Sequence, residues 1–205
     1  SGSRPSIDYD ALKQVTNPIR ETDWSVAVTL WNNREIIEIQ PGQVSSCYGF
    51  AVDIGTTKLA GYLLNLNNCK IVASASVMNP QIPYGEDVIS RIKFASENPE
   101  NLVKLQRTVV DGVNQLVKEA CESSGVSPND IYEMTVSGNT AMHHIFLGIP
   151  PDNVALMPYP AALQQSMDVK SKELSLNLNR GAYVHALPTI AGFVGGDAVA
   201  DFLAT

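Results

Sequence analysis

The chain has 205 residues, 44% of them hydrophobic and 17% charged, enough apolar material for a real core and too mixed for a disordered tail or a coiled coil. Lys+Arg of 14 against Asp+Glu of 21 gives a formal net charge of -7, which excludes the broad basic field used on nucleic acid or anionic lipid. Cys47, Cys69 and Cys121 are widely spaced with no CxxC pair, which argues against a disulfide framework or a self-contained metal knuckle and for a reducing, cytoplasmic setting.

Ser1-Gly2-Ser3 has the look of a cloning scar, so the chain is expected to be a piece of a longer protein. Residues 4–47 form a small α+β module. The pattern predicts a short helix over 8–15, then two β-rich runs, Trp24 to Leu30 and Glu35 to Ile39, around an Asn32-Asn33 hairpin turn. Pro41-Gly42 closes it.

From Tyr48 onward the pattern predicts a larger unit over 48–205. Residues 48–53 are a buried strand, 58–66 a second, and 69–78 a third with Ile71, Ala73, Ala75 and Val77 on one face. The tight turns between them make an antiparallel meander. A helix over 86–94 follows, with Val88, Ile89 and Ile92 at helical spacing and Glu86 and Asp87 as acid in its first turn. Asn98-Pro99-Glu100 signals a restart, and Leu102, Leu105, Val109, Val113, Leu116, Val117 and Ala120 give a long amphipathic stripe ending at Gly125. Strands over 131–136 and 183–187 and helices over 140–147 and 198–203 complete the order β-β-β-α-β-α-β-α. The expected fold is α/β and ribonuclease-H-like: a mixed five-stranded sheet with helices on its faces. Residues 181–196, the longest uncharged run near the end, contain Pro188, Gly192, Gly195 and Gly196 and are too short and broken to span a membrane.

Three motifs sit where core strands end. In Asp53-Ile54-Gly55-Thr56-Thr57-Lys58, Gly55 lets a ligand approach backbone amides, Thr56 and Thr57 can bond phosphate oxygens, and Lys58 can add charge. Asp53 suits a hydrated Mg²⁺, which takes few carboxylates. In Ser137-Gly138-Asn139-Thr140, a helix start offers free N–H groups at Gly138 and Asn139. In Gly192-Phe193-Val194-Gly195-Gly196-Asp197, Gly195 and Gly196 permit close packing, and Asp197 can position water or hold Mg²⁺ through water. Each has a plainer reading: a hairpin turn, a cap by Asn139 or Thr140, and a capping aspartate beside packing glycines. His143 and His144, being adjacent on a helix, make a poor metal pair and read as core or surface histidines. Between Tyr132 and Met167 only Glu133 and Asp152 are charged, a stretch expected to face another layer or domain.

With these residues in view, 48–205 resemble the ATPase domain of the reductive activators of corrinoid proteins, within the actin/sugar-kinase/Hsp70 group. Asp53-Ile54-Gly55-Thr56-Thr57 is shared with the wider group. Asn79-Pro80-Gln81-Ile82-Pro83-Tyr84-Gly85-Glu86-Asp87-Val88-Ile89-Ser90-Arg91-Ile92 is the more distinctive match, supported by Ser137 to Met142 and Val194 to Asp197. Residues 4–47 resemble the small domain that precedes this region in the family. The resemblance implies one half of an ATP- and Mg-dependent ATPase that restores cobalt(I) in a corrinoid protein. It implies a second lobe, with its own phosphate loop, and an upstream [2Fe-2S] domain as electron source; neither is in this chain. On that implication Asp53 organises Mg²⁺, Gly55 to Thr57 bind phosphate, and Asp197 positions water. The implied partners are the corrinoid protein and the second lobe, with a homodimer left open. Half an ATPase alone is expected to bind ATP weakly and to turn it over negligibly. A sugar or acid kinase of the same group and a nonenzymatic docking module are the competing readings.

Overall fold

A computed structural model describes residues 4–16, 20, 25–44, 46–192 and 194–204. Trp24, Phe193 and the Ser1-Gly2-Ser3 leader lie outside the described residues.

The N-terminal module contains β1 (Ser6–Ile7), α1 (Tyr9–Gln14), β2 (Val26–Trp31) and β3 (Glu35–Pro41), in a three-stranded sheet of order β1-β3-β2. The helix expected over 8–15 is shorter because Asp8 is its cap, accepting from the Asp10 amide at 2.8 Å. Asn32 and Asn33 both adopt left-handed backbone, φ 47° and 54°, and Arg34 N–H closes the turn on the Trp31 carbonyl at 2.8 Å. Two such residues match the twist of the flanking strands, so the expected hairpin forms. β1 is an addition to the expected elements; two residues leave no periodicity.

The larger unit contains β4 (Tyr48–Ile54), β5 (Lys58–Asn65), β6 (Lys70–Met78), α2 (Val88–Glu97), α3 (Pro99–Ser124), β7 (Ile131–Gly138), α4 (Thr140–Leu147), β8 (Met167–Lys170), β9 (Tyr183–Ala186) and α5 (Gly196–Ala204). The sheet order is β6-β5-β4-β7-β9-β8. β4, β5 and β6 pair antiparallel as the expected meander; β7 and β9 join parallel, and β8 pairs antiparallel with β9. The sheet therefore has six strands, not five. The sixth, β8, is a four-residue edge strand carrying Asp168 and Lys170, with no apolar run to announce it.

All seven residues of the expected stripe on α3 are buried, and they pack with Phe50, Val52, Ile54, Leu59 and Leu63 on one face of the sheet. Asn98 caps α3, accepting from Asn101 N–H at 2.9 Å, with Pro99 in the first turn and Gly125 left-handed at the end, φ 73°. Asn98→Ala is expected to lower stability by about 1 kcal/mol, read by thermal or urea unfolding.

Several boundaries move for local reasons. α2 starts at Val88, not 86: Asp87 is its cap, bonded to the Ser90 amide at 2.7 Å, and Glu86 lies ahead of the helix. In β6 the register shifts opposite Leu63 and Leu64, so Ala73 pairs with Leu63 and Ile71 with Leu64. That irregularity turns Ile71 outward, 62% exposed, away from the face that holds Ala73, Ala75 and Val77. Within the charge-poor stretch, α4 is buried inside this same chain from Thr140 to Phe146, which explains most of the missing charge without another domain. Only Leu156, Met157 and Tyr159 in it are exposed large hydrophobics.

The module is bolted to the larger unit. The Trp31 ring stacks on Tyr183 with centroids 3.8 Å apart, and Lys170 Nζ reaches Glu35 at 2.7 Å and Asp8 at 3.1 Å. Among the described residues no helix is long and apolar enough to cross a membrane.

Candidate functional site

The parallel strands β4, β7 and β9 are neighbours, so the three motifs that follow them lie beyond one end of the sheet, past the strands' carboxyl termini. Asp53 lies in register with Ser137 across β4 and β7. Side chains alternate faces along a strand. Val52 and Ile54 point into the core beneath α3, and Asp53 opens to the other face.

A cleft of about 440 Å³ lies there, lined by Asp53, Tyr62, Thr135, Ser137, Asp197 and Asp201. Asp53, expected to organise Mg²⁺, and Asp197, expected to position water, share it. Asp201 is one helical turn beyond Asp197 and adds a third carboxylate. Desolvation by the cleft walls, then the charges of Asp197 and Asp201, push the Asp53 carboxyl above the usual carboxylate range; a hydrogen bond with Ser137 opposes this. Solvent still reaches Asp53 at the mouth. Among the described residues no three acidic, His or Cys side chains are placed to hold a metal directly. Such a cleft fits a hydrated cation held through water, the habit of Mg²⁺.

The glycines fix how the motifs meet. A Cβ on Gly195 would lie 2.5 Å from Asn139 Cα, the Gly138 carbonyl oxygen and Thr140 N, so the third motif rests on the backbone of the second. A Cβ on Gly138 would lie 3.0 Å from the Ile54 carbonyl oxygen, so the second motif rests on the first. Asn139 is the cap of α4, its Oδ1 accepting from Met142 N–H at 3.0 Å, and its Nδ2 donates to Thr56 Oγ1 at 3.3 Å. Asp197 is not a cap; it lies inside the first turn of α5, which begins at Gly196.

Gly55, Thr56, Thr57, Lys58, Gly138, Asn139, Gly195 and Gly196 do not line the cleft itself. Thr57 and Lys58 are exposed, and Lys58 shares the open sheet face with Tyr62. His143 and His144 are both fully buried. His144 Nδ1 lies 2.7 Å from the Thr140 carbonyl and its Nε2 accepts from Ala162 N–H at 3.0 Å, whereas among the described residues neither ring nitrogen of His143 has a hydrogen-bond partner.

The RACo middle region family model matches residues 48–205. The chain belongs to that family. As a RACo middle region it is 30% identical over 198 residues to the corrinoid activation enzyme RamQ of Eubacterium limosum, covering 96% of this chain and 33% of RamQ. It is also similar to a solved reductive activator for corrinoid, iron-sulfur protein, with a TM-score of 0.87 and 33% identity over 96% of this chain and 32% of that one. The chain thus spans about a third of the length of these relatives. The resemblance read from Asp53-Ile54-Gly55-Thr56-Thr57 and residues 79–92 is the relationship these comparisons show.

Proposed function

We propose that this RACo middle region is one lobe of an ATP-dependent reductive activator that returns a corrinoid protein to cobalt(I). The observation that carries this reading is one cleft lined by a side chain from each of the three motifs, Asp53, Ser137 and Asp197, with the Asp197 charge acting on Asp53. The order β6-β5-β4-β7-β9, with β8 added at the edge, supports a ribonuclease-H-like lobe of the actin-like group.

In this reading Mg·ATP, when bound, supplies the free energy that biases the protein toward a state competent for electron transfer. The chain's own residues bind and orient it. The Gly55 to Thr57 turn receives phosphate oxygens, Lys58 adds positive charge on the same face, and the N-terminus of α4 at Gly138 and Asn139 adds donors. Gly195 and Gly196 bring Asp197 close. Asp53 is destabilised as an anion by its neighbours, so a hydrated cation beside it relieves the repulsion. Asp197 holds water on the far side of the cleft. The second lobe, the iron–sulfur domain that donates the electron and the corrinoid protein are partners in this scheme. Cys47, Cys69 and Cys121 are free thiols, which suits a reducing cytoplasmic setting.

The test is calorimetry of Mg·ATP on the full-length protein and on this chain, with turnover measured in the presence and absence of the corrinoid protein. Full-length protein is expected to hydrolyse ATP in response to the corrinoid protein and not to small alcohols or acids. Asp53→Asn is expected to weaken Mg·ATP at least about tenfold while keeping a wild-type unfolding midpoint. Turnover driven by a small alcohol or acid would instead make the protein a kinase, and tight partner binding with no nucleotide effect would make it a docking module.

A further inference from the structure

The distinctive segment 79–92 lies behind the first motif, and three of its polar side chains are buried: Asn79 1% exposed, Gln81 and Arg91 0%. Buried arginine ordinarily has a carboxylate partner. Arg91 has none within ion-pair distance among the described residues. Its guanidinium is spent on backbone and neutral groups. Nε donates to the Gly85 carbonyl at 2.9 Å, Nη1 to Gln81 Oε1 at 3.2 Å and Met142 Sδ at 3.3 Å, and Nη2 to the Thr56 carbonyl. Asn79 makes the matching contacts on either side. Its Nδ2 donates to the Gly55 carbonyl at 2.8 Å, and its backbone N–H to the Thr57 carbonyl at 2.8 Å. Asn79 is itself held, because its Oδ1 accepts from Gln81 N–H at 2.9 Å and Gln81 Nε2 donates to the Leu105 carbonyl at 2.9 Å.

Three successive carbonyls of one turn, at Gly55, Thr56 and Thr57, are therefore drawn back into the protein. In a trans peptide the N–H points opposite to the carbonyl of the preceding residue. Pulling these three oxygens inward turns the amides of Thr56, Thr57 and Lys58 the other way. Among the described residues the amides of Thr56 and Thr57 donate to no protein group. A row of outward N–H groups is an anion-binding concavity. Behind it stands a buried guanidinium with no carboxylate in direct contact among the described residues, its charge opposed only at a distance by Asp87.

We infer that Asn79 and Arg91 are positioning residues which, by holding the carbonyls of Gly55, Thr56 and Thr57, set the phosphate affinity of this turn. The inference rests on the nucleotide reading above and gives the 79–92 segment its physical task. Arg91 touches no ligand itself. It also ties the first motif to Met142 on α4, so the two phosphate-facing elements keep a fixed spacing.

The test is ¹⁵N NMR of this chain titrated with Mg·ADP and with magnesium pyrophosphate. In the wild type, the amides of Thr56, Thr57 and Lys58 and the buried Nε–H of Arg91 are expected to shift together as either probe saturates. Arg91→Lys keeps the charge and loses the fork; it is expected to raise both dissociation constants about tenfold and to move the turn amides in the free protein. Asn79→Ser, which shortens the donor to Gly55, is expected to act in the same direction. A folded Arg91→Lys or Asn79→Ser chain with wild-type affinity and unmoved turn amides overturns the inference and leaves the nucleotide reading standing. Where neither variant folds, the wild-type Arg91 Nε–H decides: a resonance that ignores saturating Mg·ADP overturns it. A wild-type chain whose turn amides respond to neither probe overturns the nucleotide reading and the inference with it.

Discussion

Lowering the pH from about 6.5 to about 4 is expected to remove about 3 kcal/mol of stability at one residue, His143, and replacing it with Leu is expected to abolish that loss. The ring is fully buried and both nitrogens lack hydrogen-bond partners among the described residues. Desolvation drives its pKa down to about 4; His144 adds to the effect, and the Asp197 charge opposes it. The unfolded chain therefore takes up a proton at this residue near pH 6.5 and the folded one only near 4. Stability is whole above 6.5 and declines as pH falls through the window between. His144 is shifted in the same direction by burial, so His143→Leu removes one share of the acid sensitivity. The carboxylates with lowered pKa, Asp8, Asp10 and Asp87, lose their contribution only below the ordinary value of 3.8, so the windows separate. At pH 7 the Leu variant is expected to be at least as stable as wild type, since two buried unpaired nitrogens cost roughly 1 kcal/mol or more each. Urea midpoints from pH 7 to 4 check both halves. An unchanged slope in His143→Leu would show that the acid sensitivity arises elsewhere.

Much of this architecture is legible in the sequence because its elements are periodic or punctuated. The α3 stripe from Leu102 to Ala120 recurs at helical spacing, and Asn98, Pro99 and Gly125 mark its ends. Asp53 is legible as an acid at a strand end and Asp197 as an acid opening a helix after a glycine-rich segment, and the fold brings them to one cleft. Asp201 does not stand out by itself, although its spacing of four from Asp197 is the signal that places both on one face of α5. Arg91 is hidden by its charge. It occupies an inward position in the series Val88, Arg91, Ile92, Ala95, but arginine is ordinarily surface, so periodicity and residue type disagree. That disagreement is itself the clue that interior acceptors take up its donors, as the carbonyls of Gly85 and Thr56 and the Gln81 side chain do. β8 leaves no signal, because pairing at an edge needs neither length nor an apolar run. Ile71 departs from its expected face because a register shift against β5 depends on the partner strand and leaves no trace in β6 alone.

Gly195→Ala is expected to be the most damaging single change at the site, costing about 3 kcal/mol of stability and weakening Mg·ADP binding more than about tenfold. The added Cβ would sit 2.5 Å from three atoms, Asn139 Cα, the Gly138 carbonyl oxygen and Thr140 N. All three are backbone, so no side-chain rotation relieves the overlap. Either the Gly195 segment swings away, carrying Asp197 from Asp53, or the start of α4 shifts, breaking the Asn139 bond to Thr56. Both routes separate groups that the proposed chemistry needs together. Two other glycines serve as controls. At Gly125 an added methyl would meet nothing within 4 Å, but φ is +73°, so the alanine variant is expected to cost about 1 kcal/mol and leave the site intact. Gly138 meets its nearest atom, the Ile54 carbonyl oxygen, at 3.0 Å, where a small shift suffices, so its variant is expected to fall between the two. Thermal unfolding with Mg·ADP titration on the three variants tests the order. A Gly195→Ala protein with wild-type midpoint and affinity would mean that the second and third motifs are not in contact, and the shared cleft would lose its geometric basis.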